Sequence, residues 1–232
     1  MTEFRRGMYH GIPIGLGYLS VSFGFGIMAV KAGLTTLAAA VISASNLTSA
    51  GQAAGVGIIA AGGTLLEMAL VQLTINLRYS LMALSLSQRL DKSFTMPHRM
   101  LAAFGITDEI FAVSYGQKDI ITPWYMYGMI LVSFTGWVSG TILGASAGQL
   151  LPSDISAALT IMLYGMFIAI IIPPARKEKS ILAVIIAAAV ISILFKFVFT
   201  FVSGGFSVII SAVLASAAAS LIFPVKEKED EK

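Results

Sequence analysis

Six stretches of this chain are long and apolar enough to cross a lipid bilayer, and they settle its class before any motif is read. They cover about 11–30, 64–88, 123–150, 155–173, 180–202 and 206–224, each near the roughly 20 residues that span the hydrocarbon layer as a helix. Charged side chains are 12% of the 232 residues. That is about half the roughly 25% of a soluble domain, too few to build a water-facing surface. The expected fold class is all-α: a polytopic transmembrane helix bundle of about six full spans, forming one integral membrane domain over 1–232. Arg5 and Arg6 precede the first run, but more runs follow, so the first reads as a retained span rather than a cleaved signal.

The same residues remove several function classes. There is no cysteine, which excludes disulfides, thiolate metal sites and cysteine nucleophiles. His10 and His98 are isolated and no HExxH motif occurs, so no metal site is expected. The serines have no histidine partner within an apolar run, so no catalytic set is expected, nor is any cofactor. The net charge of +3 comes from basic residues at the ends of apolar runs. Membrane lipids and topology explain them there, and nucleic acid is not implied.

Two further segments are apolar but interrupted: 34–62, LTTLAAAVISASNLTSAGQAAGVGIIAAG, and 98–116, HRMLAAFGITDEIFAVSYG. Lys and Arg cluster at Arg5/Arg6, Arg89/Lys92/Arg99, Lys118, Arg176/Lys177/Lys179 and the KEKEDEK tail, whereas the connections at 151–154 and 203–205 have none. If the interrupted segments are re-entrant hairpins, all of these basic groups fall on the cytoplasmic side, with both termini, and Lys31 is the exception. Eight full crossings satisfy the same end-point parity. Irregular backbone at membrane depth is tolerated only inside protein or along a wet cavity, and transporters use such broken helices to hold substrate and ions.

In segment 34–62, Ser45, Asn46, Ser49 and Gln52 crowd the interruption. About twelve helical residues rise roughly 18 Å, about half the hydrocarbon thickness, which puts the break near mid-depth. These four are candidate substrate-binding residues; close helix packing by small residues is the alternative. In 64–88, Glu67, Thr74, Arg78 and Ser85 share one helix face with Val71. Arg78, beside Asn76, lies about 15 Å from the helix end, so it needs a partner or water. Asn76 and Arg78 join the substrate-binding set. In 98–116, Gly105 is a candidate helix breaker and Thr107 or Asp108 a cap, with Asp108 and Glu109 in the first turn of the next helix. Asp108 is the candidate counter-ion of Arg78 and a candidate for substrate. Asp108, Glu109 and Glu67 are the candidates for a coupling ion. Gly136, Gly140, Gly144 and Gly148 repeat every fourth residue and predict close packing against another helix. Trp124, Tyr125 and Tyr127 suit a membrane interface. No internal repeat is clear.

The motifs INLRYSLMALSLSQRL at 75–90, AFGITDEIFAVSYG at 103–116 and GWVSGTILGASAGQLLP at 136–152, with the glycine-rich first span and the polar window at 43–52, resemble the AzlC family of branched-chain amino-acid permeases. The resemblance extends over nearly the whole chain. Two departures stand out: a more polar window at 45–52, and Tyr79 where a histidine is common. The resemblance implies a secondary transporter subunit of the bacterial cytoplasmic membrane, exporting branched-chain or similar apolar amino acids with a small AzlD-type membrane protein as partner. An oligomer is compatible with the glycine stripe. Other readings are a channel or carrier for another small metabolite or ion, a non-transporting structural membrane subunit, and an intramembrane enzyme using Asp108 and Glu109 as acid and base.

Overall fold

The structure is a computed structural model that describes residues 2–147 and 150–223, with part of one late helix described by its backbone alone. Gly148 and the KEKEDEK tail lie outside the described residues. The chain forms α1 (Glu3–Lys31), α2 (Thr36–Ser45), α3 (Ser49–Ala60), α4 (Leu65–Ser87), α5 (Met96–Phe104), α6 (Asp108–Tyr115), α7 (Pro123–Ala147), α8 (Ser153–Lys177), α9 (Lys179–Phe197) and α10 (Gly204–Ile222). Among the described residues α1, α4, α7, α9 and α10 are long and apolar enough to cross a membrane, and α8 covers the run expected at 155–173. The all-α membrane bundle is therefore what the sequence predicts.

Helices α1 and α7 form the most extensive contact in the molecule, and they run parallel. Gly7 meets the backbone of Tyr125, Gly15 that of Val132, and Gly26 that of Thr141; from the other side Gly128 meets Phe4, Gly136 meets Gly15 and Gly144 meets Phe23. At each of these positions a Cβ would collide with main chain. The predicted glycine stripe at Gly136, Gly140 and Gly144 thus exists to bring two backbones together, which yields dispersion contacts where lipid offers no hydrophobic drive. Parallel packing of α1 and α7 gives the bundle two distinguishable ends.

Both interrupted segments are hairpins that return to the end they started from. In the first, the Thr36 hydroxyl reaches the Ala145 carbonyl, and Ser43 lies 2.7 Å from the Thr141 hydroxyl. The Trp137 indole N–H then donates to Gln52 at 3.0 Å, so α2 descends along α7. Val56 next packs with Phe25, Ala29, Ala39 and Ala145, so α3 climbs back. In the second, His98 pairs with Tyr127 at 2.6 Å, Phe104 meets Phe134 with tilted rings, and Ser114 returns to the Met126 sulfur at 3.3 Å. The first hairpin opens at the end reached by Lys31. The second opens at the end carrying Arg6, Arg89, Lys92, Arg99 and Lys118. Full crossing of either segment is excluded by these contacts.

Local chemistry explains each boundary. Asn46, Leu47 and Thr48 separate α2 from α3, and Gly105, Ile106 and Thr107 separate α5 from α6. Thr48 caps the Gly51 N–H at 3.3 Å and Thr107 caps the Ile110 N–H at 3.3 Å, each satisfying a donor that the new helix leaves free. At the far end Gly33 (φ +91°) and Gly62 (φ +66°) terminate α1 and α3. The following N–H groups, of Leu34 and Gly63, return to Ala29 and Ile58 at 3.1 and 2.9 Å, the paired C-terminal closure that favours a left-handed glycine. At the basic end the Arg89 guanidinium donates to the carbonyls of Tyr115 and Gln117 and seals the exit of α6. Tyr125, expected to do no more than mark the interface, is fully buried and sits 2.9 Å from His10.

The chain contains no cysteine, so single-cysteine labelling is clean. Lys31→Cys and Ala61→Cys should react from one side of sealed vesicles, and Ser93→Cys and Lys118→Cys from the other. Labelling of positions 31 and 61 from opposite sides would exclude a re-entrant first hairpin. Gly140→Leu should lower unfolding stability in detergent by about 1–3 kcal/mol or more, because overpacking forces the backbones apart. Gly57→Ala, where a Cβ meets nothing within 4 Å, should not.

Candidate functional site

The tips of the two hairpins carry the polar residues that the spanning helices cannot satisfy alone. On α4, Glu67, Val71 and Leu86 are buried while Leu66, Leu73, Leu77, Leu81 and Leu84 are exposed, so the predicted polar stripe runs along the edge of the buried face, with Glu67 inside and Arg78 half-buried. Arg78 lies on that stripe, and its guanidinium reaches both carboxylate oxygens of Asp108 at 3.0 and 2.8 Å. The two side chains keep 35% and 21% of their surface. The pair is thus shielded without being sealed. Arg78 also donates to the Tyr79 hydroxyl at 3.1 Å, and Tyr79 donates to Thr48 at 3.4 Å. The two tips are therefore tied together through α4: Thr48 from the first, Asp108 from the second.

A second chain of contacts runs through α1. The Tyr18 hydroxyl lies 2.6 Å from the Thr107 hydroxyl and 2.5 Å from the Glu109 carboxylate. Tyr18 is 5% exposed and meets Trp137 edge-on, with ring centroids 5.2 Å apart. Asp108 and Glu109 are neighbours on α6, separated by about 100° around the helix. This separation is why one faces α4 and the other α1. The contacts form a pattern: a tyrosine from α1 holds the cap threonine of the second hairpin, and a tyrosine from α4 holds the cap threonine of the first. With the hairpins opening at opposite ends, α1–α2–α3 and α4–α5–α6 are inverted counterparts.

The sequence candidates divide on inspection. Arg78, Asp108 and Glu109 converge at the tips. Asn76 lies on the other face of α4 from Arg78: its amide N–H donates to Gln72 at 3.1 Å, while its Oδ1 is buried without a hydrogen-bond partner among the described residues. Gln72 in turn donates to the Gly51 carbonyl at 2.7 Å. Gln52 is buried and fully engaged, donating to the carbonyls of Ile42 and Asn46 and accepting from Trp137. Its evident work is to staple α2 to α3 and both to α7. Ser45 is exposed and bonds to its own helix at Val41 and Ile42, turned away from the centre. Asn46 contributes its carbonyl to Gln52, and Ser49 begins α3 beside the tip, partly buried. Glu67 stands apart at the non-basic end, where it accepts from Ser203 at 2.5 Å and from the Gly205 N–H at 2.9 Å, holding the start of α10.

Tyr18, Gln72 and Trp137, like Thr48 and Tyr79, belong to this network and carry no candidate role in the sequence reading. Tyr18 offered a signal, a single phenol in the glycine-rich first span. Trp137 had only its place inside the glycine stripe. No cluster of three or more metal-ligating side chains occurs among the described residues.

The site lies wholly within a stretch with known counterparts. A family model described as AzlC protein matches residues 13–151. A membrane protein of Archaeoglobus fulgidus is 33% identical over 172 residues, covering 73% of this chain and 75% of its own. Inner membrane protein YgaZ of Escherichia coli is 29% identical, covering 78% and 76%. The branched-chain amino acid transport protein AzlC of Bacillus subtilis is 23% identical, covering 77% and 70%. No solved structure matches.

Breaking a charge pair at this depth leaves its survivor uncompensated. Arg78→Met and Asp108→Leu should each destabilise the protein, by less than the roughly 3–5 kcal/mol of a fully buried pair, since both groups retain some exposure. The double variant should recover part of the loss in a denaturation cycle. Strict additivity of the two single losses would show that the groups do not interact.

Proposed function

We propose that this chain, which belongs to the AzlC family, is a transport subunit that carries branched-chain or similar apolar amino acids through the membrane, binding them where the two hairpin tips meet. The observation that carries this reading is the Arg78–Asp108 pair, partly open and flanked by broken helices. An amino acid is a zwitterion. Its carboxylate needs a donor such as Arg78, whose planar fork suits a carboxylate. Its arrival displaces Asp108 from the guanidinium and leaves that carboxylate to take up a proton. Asp108 is then the residue through which a proton gradient couples to movement of substrate.

Support for orientation comes from the basic end. Arg5, Arg6, Arg89, Lys92, Arg99 and Lys118 gather there, so that end, with the N-terminus, faces the cytoplasm. The chain works in a bacterial cytoplasmic membrane, moves substrate outward, and is completed by a small AzlD-type membrane protein. These points rest on the family resemblance. The protein is a carrier and not an enzyme. The acids at the second tip are taken up by Arg78 and Tyr18 rather than arranged as an acid–base couple around a third reactive group.

Reconstitution with the small partner, followed by counterflow of labelled leucine, valine and methionine across a pH gradient, tests the reading. Arg78→Ala should abolish counterflow. Asp108→Asn should uncouple flux from the pH gradient while leaving exchange measurable. Wild-type rates and coupling in both folded variants would remove the pair from the mechanism.

A further inference from the structure

We infer that the cavity between α1 and α6 seats the apolar side chain of the substrate, and that Glu109, rather than Asp108, receives its ammonium group. This rests on the transport reading above and adds to it a side-chain pocket and the residues that set its size. The cavity is an open groove of about 470 Å³: Pro13, Gly17 and Ala112 line it and are exposed, Ile14, Val21 and Val113 complete its apolar wall, and Tyr18 and Glu109 supply its polar edge. That volume lies within the roughly 300–1,000 Å³ of small-ligand sites.

The lining has a regular origin. Pro13, Gly17 and Val21 stand four residues apart on α1, and Ala112 and Val113 follow Glu109 by three and four on α6. Each set therefore shares a helix face. Two stripes of small apolar groups face one another, and the carboxylate sits at their edge. Gly17 is the informative residue. Gly7, Gly11 and Gly15 are pressed against the backbone of α7, but a Cβ on Gly17 meets nothing within 4 Å. Its φ is not positive either. Neither packing nor backbone conformation calls for a glycine there; what its missing side chain does is leave the cavity open.

Glu109 supplies the charge argument. Asp108 has Arg78 as its cation, whereas Glu109 makes no ion pair among the described residues and is held by the Tyr18 hydroxyl at 2.5 Å. A carboxylate at membrane depth calls for a cation or a proton. A primary ammonium carries three donors and a full charge, and it brings its own apolar chain to the cavity beside it. A lipid acyl chain in the same place would lay hydrocarbon against the carboxylate and leave it uncompensated. The ligand class is an α-amino acid with an aliphatic side chain, its ammonium on Glu109 and its side chain between Gly17 and Ala112. Tyr18 acts as a positioning residue that fixes the Glu109 carboxylate.

The test is competitive counterflow with the reconstituted full chain and its partner, comparing leucine with alanine in a graded series: Gly17→Ala, Gly17→Val, Gly17→Leu and, separately, Ala112→Phe. Filling the cavity should lower the leucine-to-alanine ratio progressively, by about tenfold at the large end, the scale of a pocket contact worth one or two methylene groups. Glu109→Gln should abolish the preference for leucine over 4-methylpentanoate, the analogue that lacks the amine. An unchanged leucine-to-alanine ratio across folded variants would overturn the cavity assignment. So would an equal fall for both substrates, the result expected if a lipid or a partner helix fills the space. A native chain that moves no amino acid would instead sink the transport reading itself, a result separable from the other two.

Discussion

A guanidinium in the middle of an apolar helix is the demand around which this molecule is arranged. Arg78 cannot be left unpaired at that depth, and no acid on its own helix lies within reach: Glu67 is occupied at the other end by Ser203 and Gly205. The counter-charge must come from another element at the same level. The second hairpin provides it, because the break at Gly105–Thr107 starts a new helix in mid-bundle with Asp108 in its first residue. Acids are favoured at a helix N-terminus, so the same position that makes Asp108 a good helix starter makes it available to Arg78. Without the broken helix, a side chain from a continuous span would have to meet Arg78 across the bundle.

The broken helices in turn depend on a rigid wall. The α1–α7 contact supplies it, with glycines on both sides meeting main chain rather than side chain. Against this wall the hairpins enter from opposite ends and stop at the same level, where Trp137 fixes one tip through Gln52 and Tyr18 fixes the other through Thr107. The exchange of tyrosines is reciprocal: Tyr79 of α4 reaches Thr48, and Tyr18 of α1 reaches Thr107. Each tip is thereby held by the spanning helix that precedes the other hairpin. Inverted-topology repeats with sites at the membrane midplane are a common architecture of secondary transporters, and this arrangement has that form.

Much of this was legible in the amino-acid order. Apolar run length gives the spans. The loss of apolar character after Ser43 and the Gly105–Thr107 sequence mark both breaks, and the lysine and arginine distribution favours hairpins over crossings. The Arg78–Asp108 pairing follows from the cost of isolated charge. Other features were hidden for physical reasons. The inverted relation leaves almost no trace in sequence, since the tips share only an aliphatic residue followed by threonine, Leu47–Thr48 and Ile106–Thr107. Backbone geometry and a cap define the tips, and many sequences satisfy those requirements. Tyr18 reads as one more apolar-span aromatic until its hydroxyl is placed. Gln52 looks like a ligand group because amides are costly in lipid, yet its polarity is consumed within the hairpin. Ser45 likewise bonds back to the carbonyls of its own helix, as a serine near a helix end often does.

The idea on which the functional reading stands is that a solute carboxylate can reach Arg78. Solid-state NMR on the chain reconstituted with its partner, using leucine labelled with ¹³C at the carboxylate and protein labelled with ¹⁵N in its arginine side chains, reads that contact directly. The arrangement predicts dipolar coupling at ion-pair distance that vanishes in Arg78→Lys. Bound leucine with no coupling to any arginine, or coupling that persists in Arg78→Lys, would contradict it.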